Sequence, residues 1–170
     1  MRFYIVLSII IVNFILQSTI FQYFRILGVL PNTALLIVIV FSILWGEKKG
    51  AVIGFITGLL QDILVGSFVG INALIYMLIA YNIGNFQKIL FKDTYLTPVF
   101  FAIISTSIYH VSYYSVMYMT NNPVEFLIVF KNIVLPETIY NGIVSVVIYR
   151  WIYNLTRKSY MKEKIRGSKC

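Results

Sequence analysis

Long, nearly uninterrupted apolar runs constrain this chain more than any other feature of its sequence. A bilayer hydrocarbon core of about 30 Å requires about 20 helical residues per crossing. Six apolar runs of comparable length follow one another, at residues 3–21, 29–45, 51–65, 68–84, 96–119 and 133–155. They are apolar almost throughout, whereas a β-barrel strand alternates apolar and polar residues. The sequence therefore predicts an all-α integral membrane protein, a compact bundle of six transmembrane helices.

The composition excludes a soluble domain. Hydrophobic residues make up 59% of the chain and charged residues 12%, against about 45–50% and about 25% in ordinary globular proteins. The apolar runs leave no room for a folded domain outside the membrane. We therefore predict a transmembrane domain over residues 1–155 and a basic cytoplasmic tail over residues 156–170.

The basic residues predict the orientation. With six crossings, Lys48, Lys49, Lys88, Lys92 and the basic tail fall on one side, whereas only Arg25 and Lys131 fall on the other. The positive-inside rule then places both termini in the cytoplasm. Most of the excess behind the net charge of +8 lies next to the membrane and matches this topology signal, so we expect it to attract anionic lipid and expect no nucleic-acid partner.

The most regular pattern is a glycine ladder. Glycines recur every four residues, with Asp62 at one step of the series: Gly46, Gly50, Gly54, Gly58, Gly66 and Gly70. Small residues at this spacing let two membrane helices approach closely. Gly50, Gly54 and Gly58 therefore form either a packing face within the bundle or a docking face for another protein's helix.

Asp62 follows the three central glycines directly. A carboxylate inside a membrane span is costly, and by default it indicates a functional site. The alternative is that it caps the fourth helix or binds loop amides near the membrane surface. The residues leave these two interpretations open.

Polar residues gather at one depth, in the outer half of the predicted spans. They come from five of the six spans: Asn13, Gln17, Asn32, Asn72, His110, Glu137 and Asn141, with Pro31 beside Asn32. Asp62 lies at a similar depth. This clustering predicts a polar cavity or contact surface that opens outward, where a ligand or a partner segment binds.

No catalytic, cofactor or metal site is predicted. His110 is the only histidine, which rules out a multi-histidine metal site. Asp62 is the only aspartate within a span, so the pair of an intramembrane aspartyl protease is absent. The zinc-protease and serine-hydrolase motifs are also missing.

Several motifs carry a family resemblance. They read Gly28-Val-Leu-Pro31-Asn32, Trp45-Gly-Glu-Lys-Lys-Gly50, Gly54-Phe-x-x-Gly58-Leu-x-x-Asp62 and Gly66-x-x-x-Gly70-x-Asn72-Ala-Leu. With the six-span layout and short loops, they resemble the bacterial rod shape-determining protein MreD family. The resemblance implies a non-catalytic membrane scaffold of the rod (elongation) complex, which helps direct lateral peptidoglycan synthesis and rod cell shape.

The resemblance also implies partners. They are the bitopic protein MreC, the polymerase RodA with its class B penicillin-binding transpeptidase, and the actin-like protein MreB. Our candidates for helix packing or partner docking are Pro31, Asn32, Gly50, Gly54, Gly58, Asp62, Gly70 and Asn72. The fold is expected to be similar to the S-components of energy-coupling-factor vitamin transporters, and a vitamin-binding S-component is the alternative function. The bulky first helix lacks the small-residue docking motif of those proteins.

Overall fold

A computed structural model describes residues 2–26, 28–66, 69–86, 96–119 and 125–157 of the chain. Its helices are α1 (Arg2–Thr19), a 3₁₀ segment (Phe21–Phe24), α2 (Thr33–Trp45), α3 (Glu47–Val65), α4 (Ile71–Asn85), α5 (Leu96–Met119), α6 (Phe126–Val129), a π-helical segment (Phe130–Val134) and α7 (Leu135–Thr156). The predicted all-α class is confirmed for these residues, since their only β pairing is an isolated bridge between Ile26 and Val29.

Helix α2 is the core of the bundle. Every residue from Thr33 to Ile43 is buried, and α2 packs against α1, α3, α4, α5 and α7. A helix that is apolar on all sides has no face suited to water, so it lies either inside a bundle or against lipid. The structure places α2 inside, among the other helices.

The outward surfaces of the other helices are also apolar. Large side chains such as Leu78, Phe100, Ile143 and Val147 are more than half exposed. Two helices, over Leu96–Met119 and Leu127–Thr156, are long and apolar enough to cross a membrane, while those over Tyr4–Thr19 and Thr33–Trp45 are apolar but shorter. Exposed apolar area on this scale indicates a membrane-facing surface.

Most helix bounds lie within a few residues of the predicted spans, and α5 matches its span of 96–119 at both ends. The second span was predicted from residue 29, but α2 begins only at Thr33 because the Asn32 side chain caps it. Pro31 therefore precedes the helix instead of lying in its first turn. Helix α3 begins at Glu47, four residues before the predicted span.

Helical backbone begins before the predicted last span, since it runs from Phe126 into α7. Pro136 lies in the first turn of α7 and has no N–H to donate to the carbonyl four residues before it. The Leu135 N–H donates to the Phe130 carbonyl, a bond across five residues, so the chain widens into one π-helical turn at this point.

Some predictions lie outside the described residues. They concern Lys88 and Lys92, the start of the fourth span at Phe68, and the part of the basic tail beyond Arg157.

Candidate functional site

A cavity of about 500 Å³ is lined by six of the predicted residues, Gln17, Pro31, Asn32, Asn72, His110 and Glu137, whereas Asn13, Asp62 and Asn141 are not among its lining residues. It lies where α1, α3 and α5 finish and α2, α4 and α7 begin, and we call this end of the bundle the polar end. The cavity is lined by Gln17, Leu30, Pro31, Asn32, Gln61, Val65, Gly66, Asn72, Tyr109, His110, Tyr113, Tyr114, Met117, Val129, Ile133 and Glu137. Residues from all seven described helices or their ends thus share one space.

Asp62 holds the start of α4. Its Oδ2 accepts hydrogen bonds from the backbone N–H groups of Gly70 (2.8 Å) and Ala73 (3.1 Å). Its Oδ1 accepts from the backbone N–H (3.1 Å) and the side-chain Nδ2 (2.8 Å) of Asn72. The first N–H groups of a helix have no partner within it and attract negative charge. The geometry therefore supports the capping interpretation of Asp62.

Asn32 performs the same task for α2 and also joins it to other helices. Its Oδ1 accepts from the Leu35 N–H and from the Tyr76 hydroxyl, both at 3.0 Å. Its backbone N–H donates to Oδ1 of Asn141 on α7, at 2.9 Å. A single residue thus connects α2 to α4 and to α7.

Asn141 continues this network toward His110. Its Nδ2 donates to the Thr106 hydroxyl at 3.0 Å and lies 3.5 Å from Glu137 Oε1. His110 Nε2 lies 3.0 Å from Glu137 Oε2, so the imidazole N–H donates to a largely buried carboxylate. His110 and Glu137 are thus in direct contact, whereas Lys131 is exposed.

The two α1 candidates differ in position. Gln17 lines the cavity, and its Oε1 accepts from the Thr33 hydroxyl at 3.3 Å. Asn13 is buried but does not line the cavity, and its Nδ2 has no hydrogen-bond partner. Asn13 therefore belongs to the interior of the bundle.

Two acceptor oxygens at the cavity are unpaired. They are Oε1 of Gln61 and Oδ1 of Asn72, both buried and without a hydrogen-bond partner. Sequence reasoning did not single out Gln61 as a site residue, and it also missed Tyr76 and Thr106. Helical spacing could have found Thr106, because it lies one turn before His110 on the same face of α5.

The groove of the glycine ladder is filled by the protein itself. A Cβ on Gly54 would lie 2.6 Å from the Tyr76 carbonyl oxygen, and one on Gly58 would collide with the backbone of Asn72 and Ala73. A Cβ on Gly50 would lie 2.5 Å from the Ser42 hydroxyl oxygen. Because α4 and α2 occupy this face, the structure favours packing over docking of an outside helix.

Other steps of the ladder have a different role. Gly70 was predicted to pack or dock, but a Cβ there would meet nothing within 4 Å. Its φ of +103° and the φ of +85° at Gly46 lie in a region that only glycine adopts readily. Gly46 therefore allows the tight turn between α2 and α3, and Gly70 allows the turn into α4.

The polar side chains that line the cavity are hydrogen-bonding groups. Among the described residues, no group of three or more His, Cys, Asp or Glu side chains could hold a metal ion. The cavity offers one carboxylate with an imidazole, several amides and a set of tyrosines.

Comparison with known proteins identifies the family. The family described as rod shape-determining protein MreD matches residues 1–159. The chain belongs to the MreD family. Comparison with curated proteins and with solved structures gives no match, so the expected likeness to S-components stays a prediction.

Membership has two direct consequences. MreD proteins have a role in determining rod cell shape and are not a known enzyme family. Together with the two long apolar helices, membership indicates a membrane protein.

Proposed function

We propose that this MreD protein is a non-catalytic membrane scaffold of the rod complex, which binds MreC and helps direct lateral peptidoglycan synthesis. The observation that carries the proposal is the family match over residues 1–159. The described residues add a bundle with an apolar outer surface, which suits a protein that acts through contacts with other membrane proteins.

In the proposed arrangement six helices cross the bacterial inner membrane and both termini lie in the cytoplasm. The polar end then faces outward, and the exposed Lys48, in the first turn of α3, faces the cytoplasm. The basic cytoplasmic residues lie against anionic lipid and approach MreB. The positive-inside rule supports this orientation.

The face that we assign to MreC is an apolar groove between α4 and α5. It has a volume of about 950 Å³ and is walled by side chains such as Leu78, Ile79, Phe86, Phe100 and Ile104. The glycine face of α3 is already filled, so it offers no comparable space. A bitopic protein such as MreC has a single apolar membrane helix. We propose that this helix lies between the walls of the groove and is its only occupant.

Site-specific cross-linking tests this assignment. A photoreactive amino acid replaces Phe100, which is 60% exposed in the groove, and in a matched control it replaces Val147, which is 68% exposed on α7. We expect MreC to be cross-linked from position 100 and not from position 147. Cross-linking from position 147 alone would place MreC on α7 and refute the assignment of the groove.

Mass spectrometry of the co-purified proteins tests the function itself. The protein is tagged, expressed at its native level and extracted in mild detergent. The scaffold proposal expects MreC together with RodA or the class B transpeptidase. Recovery of paired transport ATPases with a coupling subunit would instead identify the alternative, a vitamin-binding S-component.

A further inference from the structure

We propose that the polar-end cavity is a binding site for a primary ammonium group, which is carried either by an aminophospholipid headgroup or by a free amine. The inference rests on the proposed membrane location but not on the binding of MreC. It follows from the acceptors, charges, size and rim of the cavity.

The cavity has hydrogen-bond acceptors that lack donors. Gln61 Oε1 and Asn72 Oδ1 are both buried and unpaired, and Asn72 is only 4% exposed. The orientation of the Asn72 amide is determined, because its Nδ2 donates to the Asp62 carboxylate, which can only accept. Buried polar atoms in folded proteins nearly always have a partner, so this site calls for a ligand that donates hydrogen bonds.

The charges favour a cation. The Glu137 carboxylate lines the cavity, and Asp62 contacts the lining residue Asn72. No lysine or arginine is among the lining residues of the described chain. Tyr109 and Tyr113 lie with ring centroids 5.9 Å apart, and tyrosine faces attract cations. A phosphate or carboxylate ligand would meet the Glu137 carboxylate, and the one imidazole of the described lining, His110, is already hydrogen-bonded to that carboxylate.

The acceptors also select among cations. A quaternary ammonium has no N–H to offer to Gln61 and Asn72, whereas a primary ammonium has three. The volume of about 500 Å³ exceeds that of a bare metal ion and lies within the range of small-molecule sites. A primary ammonium with a few further atoms therefore fits best.

The rim of the cavity is apolar and faces outward from the bundle. Val65 is 72% exposed and Ile133 is 43% exposed, and both line the cavity. Acyl chains can lie against these side chains while a headgroup enters between them. Aminophospholipid is therefore the source that the position favours.

The test measures lipid binding by native mass spectrometry of the purified protein. Phosphatidylethanolamine is the probe, and phosphatidylglycerol and N-acetylated phosphatidylethanolamine are the matched lipids without an ammonium. We expect a one-to-one adduct with phosphatidylethanolamine at least about tenfold tighter than with either control, as is typical of a charge-assisted hydrogen bond. Equal binding of the three lipids would overturn the proposal.

Substitutions of cavity residues test whether the lipid binds in the cavity. Gln61→Leu removes one unpaired acceptor without breaking a described hydrogen bond, and Glu137→Gln removes the charge but keeps an acceptor for His110. We expect affinity losses of about fivefold and about tenfold. Gln22→Leu, an exposed glutamine of the 3₁₀ segment outside the cavity, should leave the affinity unchanged. Unchanged binding in both cavity variants would refute the site.

A competition experiment distinguishes the two sources of the ammonium group, the lipid headgroup and a free amine. If free ethylammonium at millimolar concentration displaces the lipid adduct, the cavity accepts soluble amines. If it does not, the site is specific for the lipid-borne group. Because purified protein is used without MreC, failure here is distinguishable from failure of the scaffold proposal.

Discussion

Asp62 illustrates how a carboxylate is accommodated inside an apolar bundle. The residue is 1% exposed and accepts four hydrogen bonds, three from backbone N–H groups at the start of α4 and one from Asn72. These donors replace the water that a carboxylate loses on burial. Its neighbour Gln61 has no such partner for Oε1.

We predict that Asp62→Asn destabilises the protein by roughly 2 kcal/mol or more. An amide has one acceptor oxygen in place of two, so its NH₂ group would oppose the N–H groups of Gly70 or Asn72. The measurement is equilibrium unfolding of the purified variant in detergent, followed by circular dichroism. Glu125→Gln, an exposed carboxylate, is the control and should stay within about 0.5 kcal/mol of the parent. Equal stability of the two variants would rule out the capping role.

The polar residues also mark how far sequence reasoning reaches at this scale. Counting residues from the ends of the spans brought Gln17, Asn72, His110 and Glu137 to one depth, and the structure places all four around one cavity. The same count included Asn13, which is buried away from it. Depth along a helix follows from residue number, but the direction of a side chain depends on how each helix is rotated, which depends on packing partners far away in the chain.

At the scale of elements, the glycines that recur every four residues have two different physical roles, close helix packing and tight turns. Gly54 and Gly58 allow α3 to approach the backbone of α4, and Gly84 on α4 allows the same approach to Glu47 at the start of α3. Gly46 and Gly70 are needed for their positive φ angles. Spacing alone predicted a groove but could not say what fills it. The small residues Ala73, Ala80 and Gly84 on one face of α4 were the signal for its partner.

The packing role of the ladder predicts unequal effects of the same substitution. Gly58→Ala should destabilise the bundle by about 2 kcal/mol, since the new methyl group would collide with the backbone of α4, which cannot move aside cheaply. Gly142→Ala is the matched control, because a Cβ there would meet its nearest atom, in Ile103, at 3.8 Å. That variant should keep or raise stability by up to about 1 kcal/mol. Detergent unfolding of both variants measures the difference, and equal losses would contradict close α3–α4 packing.

At the scale of the whole molecule, the apolar runs predicted the fold class well but the positions and bounds of the helices less well. The all-helical architecture followed from them, but the central place of α2 did not, because an apolar helix can equally face lipid. The start of α7 did not, because the π-helical turn before Pro136 keeps the upstream segment helical. A run of apolar letters shows that a segment avoids water, but its helical bounds depend on caps and on backbone hydrogen bonds.

The predicted orientation of the whole molecule makes a final prediction. Cys170 is the only cysteine, so in the unchanged chain it reports on the tail, and in a Cys170→Ser background single cysteines report on other sites. Tyr23 is 88% exposed beside the polar end, and Lys48 is exposed at the opposite end of the bundle. In intact spheroplasts a membrane-impermeant maleimide should label Tyr23→Cys at once, but should label Lys48→Cys and Cys170 only after permeabilisation. The reverse labelling pattern would mean that the cavity faces the cytoplasm. Labelling of both Tyr23→Cys and Cys170 in intact spheroplasts, with Lys48→Cys protected, would mean that the chain crosses the membrane an odd number of times between Lys48 and Cys170.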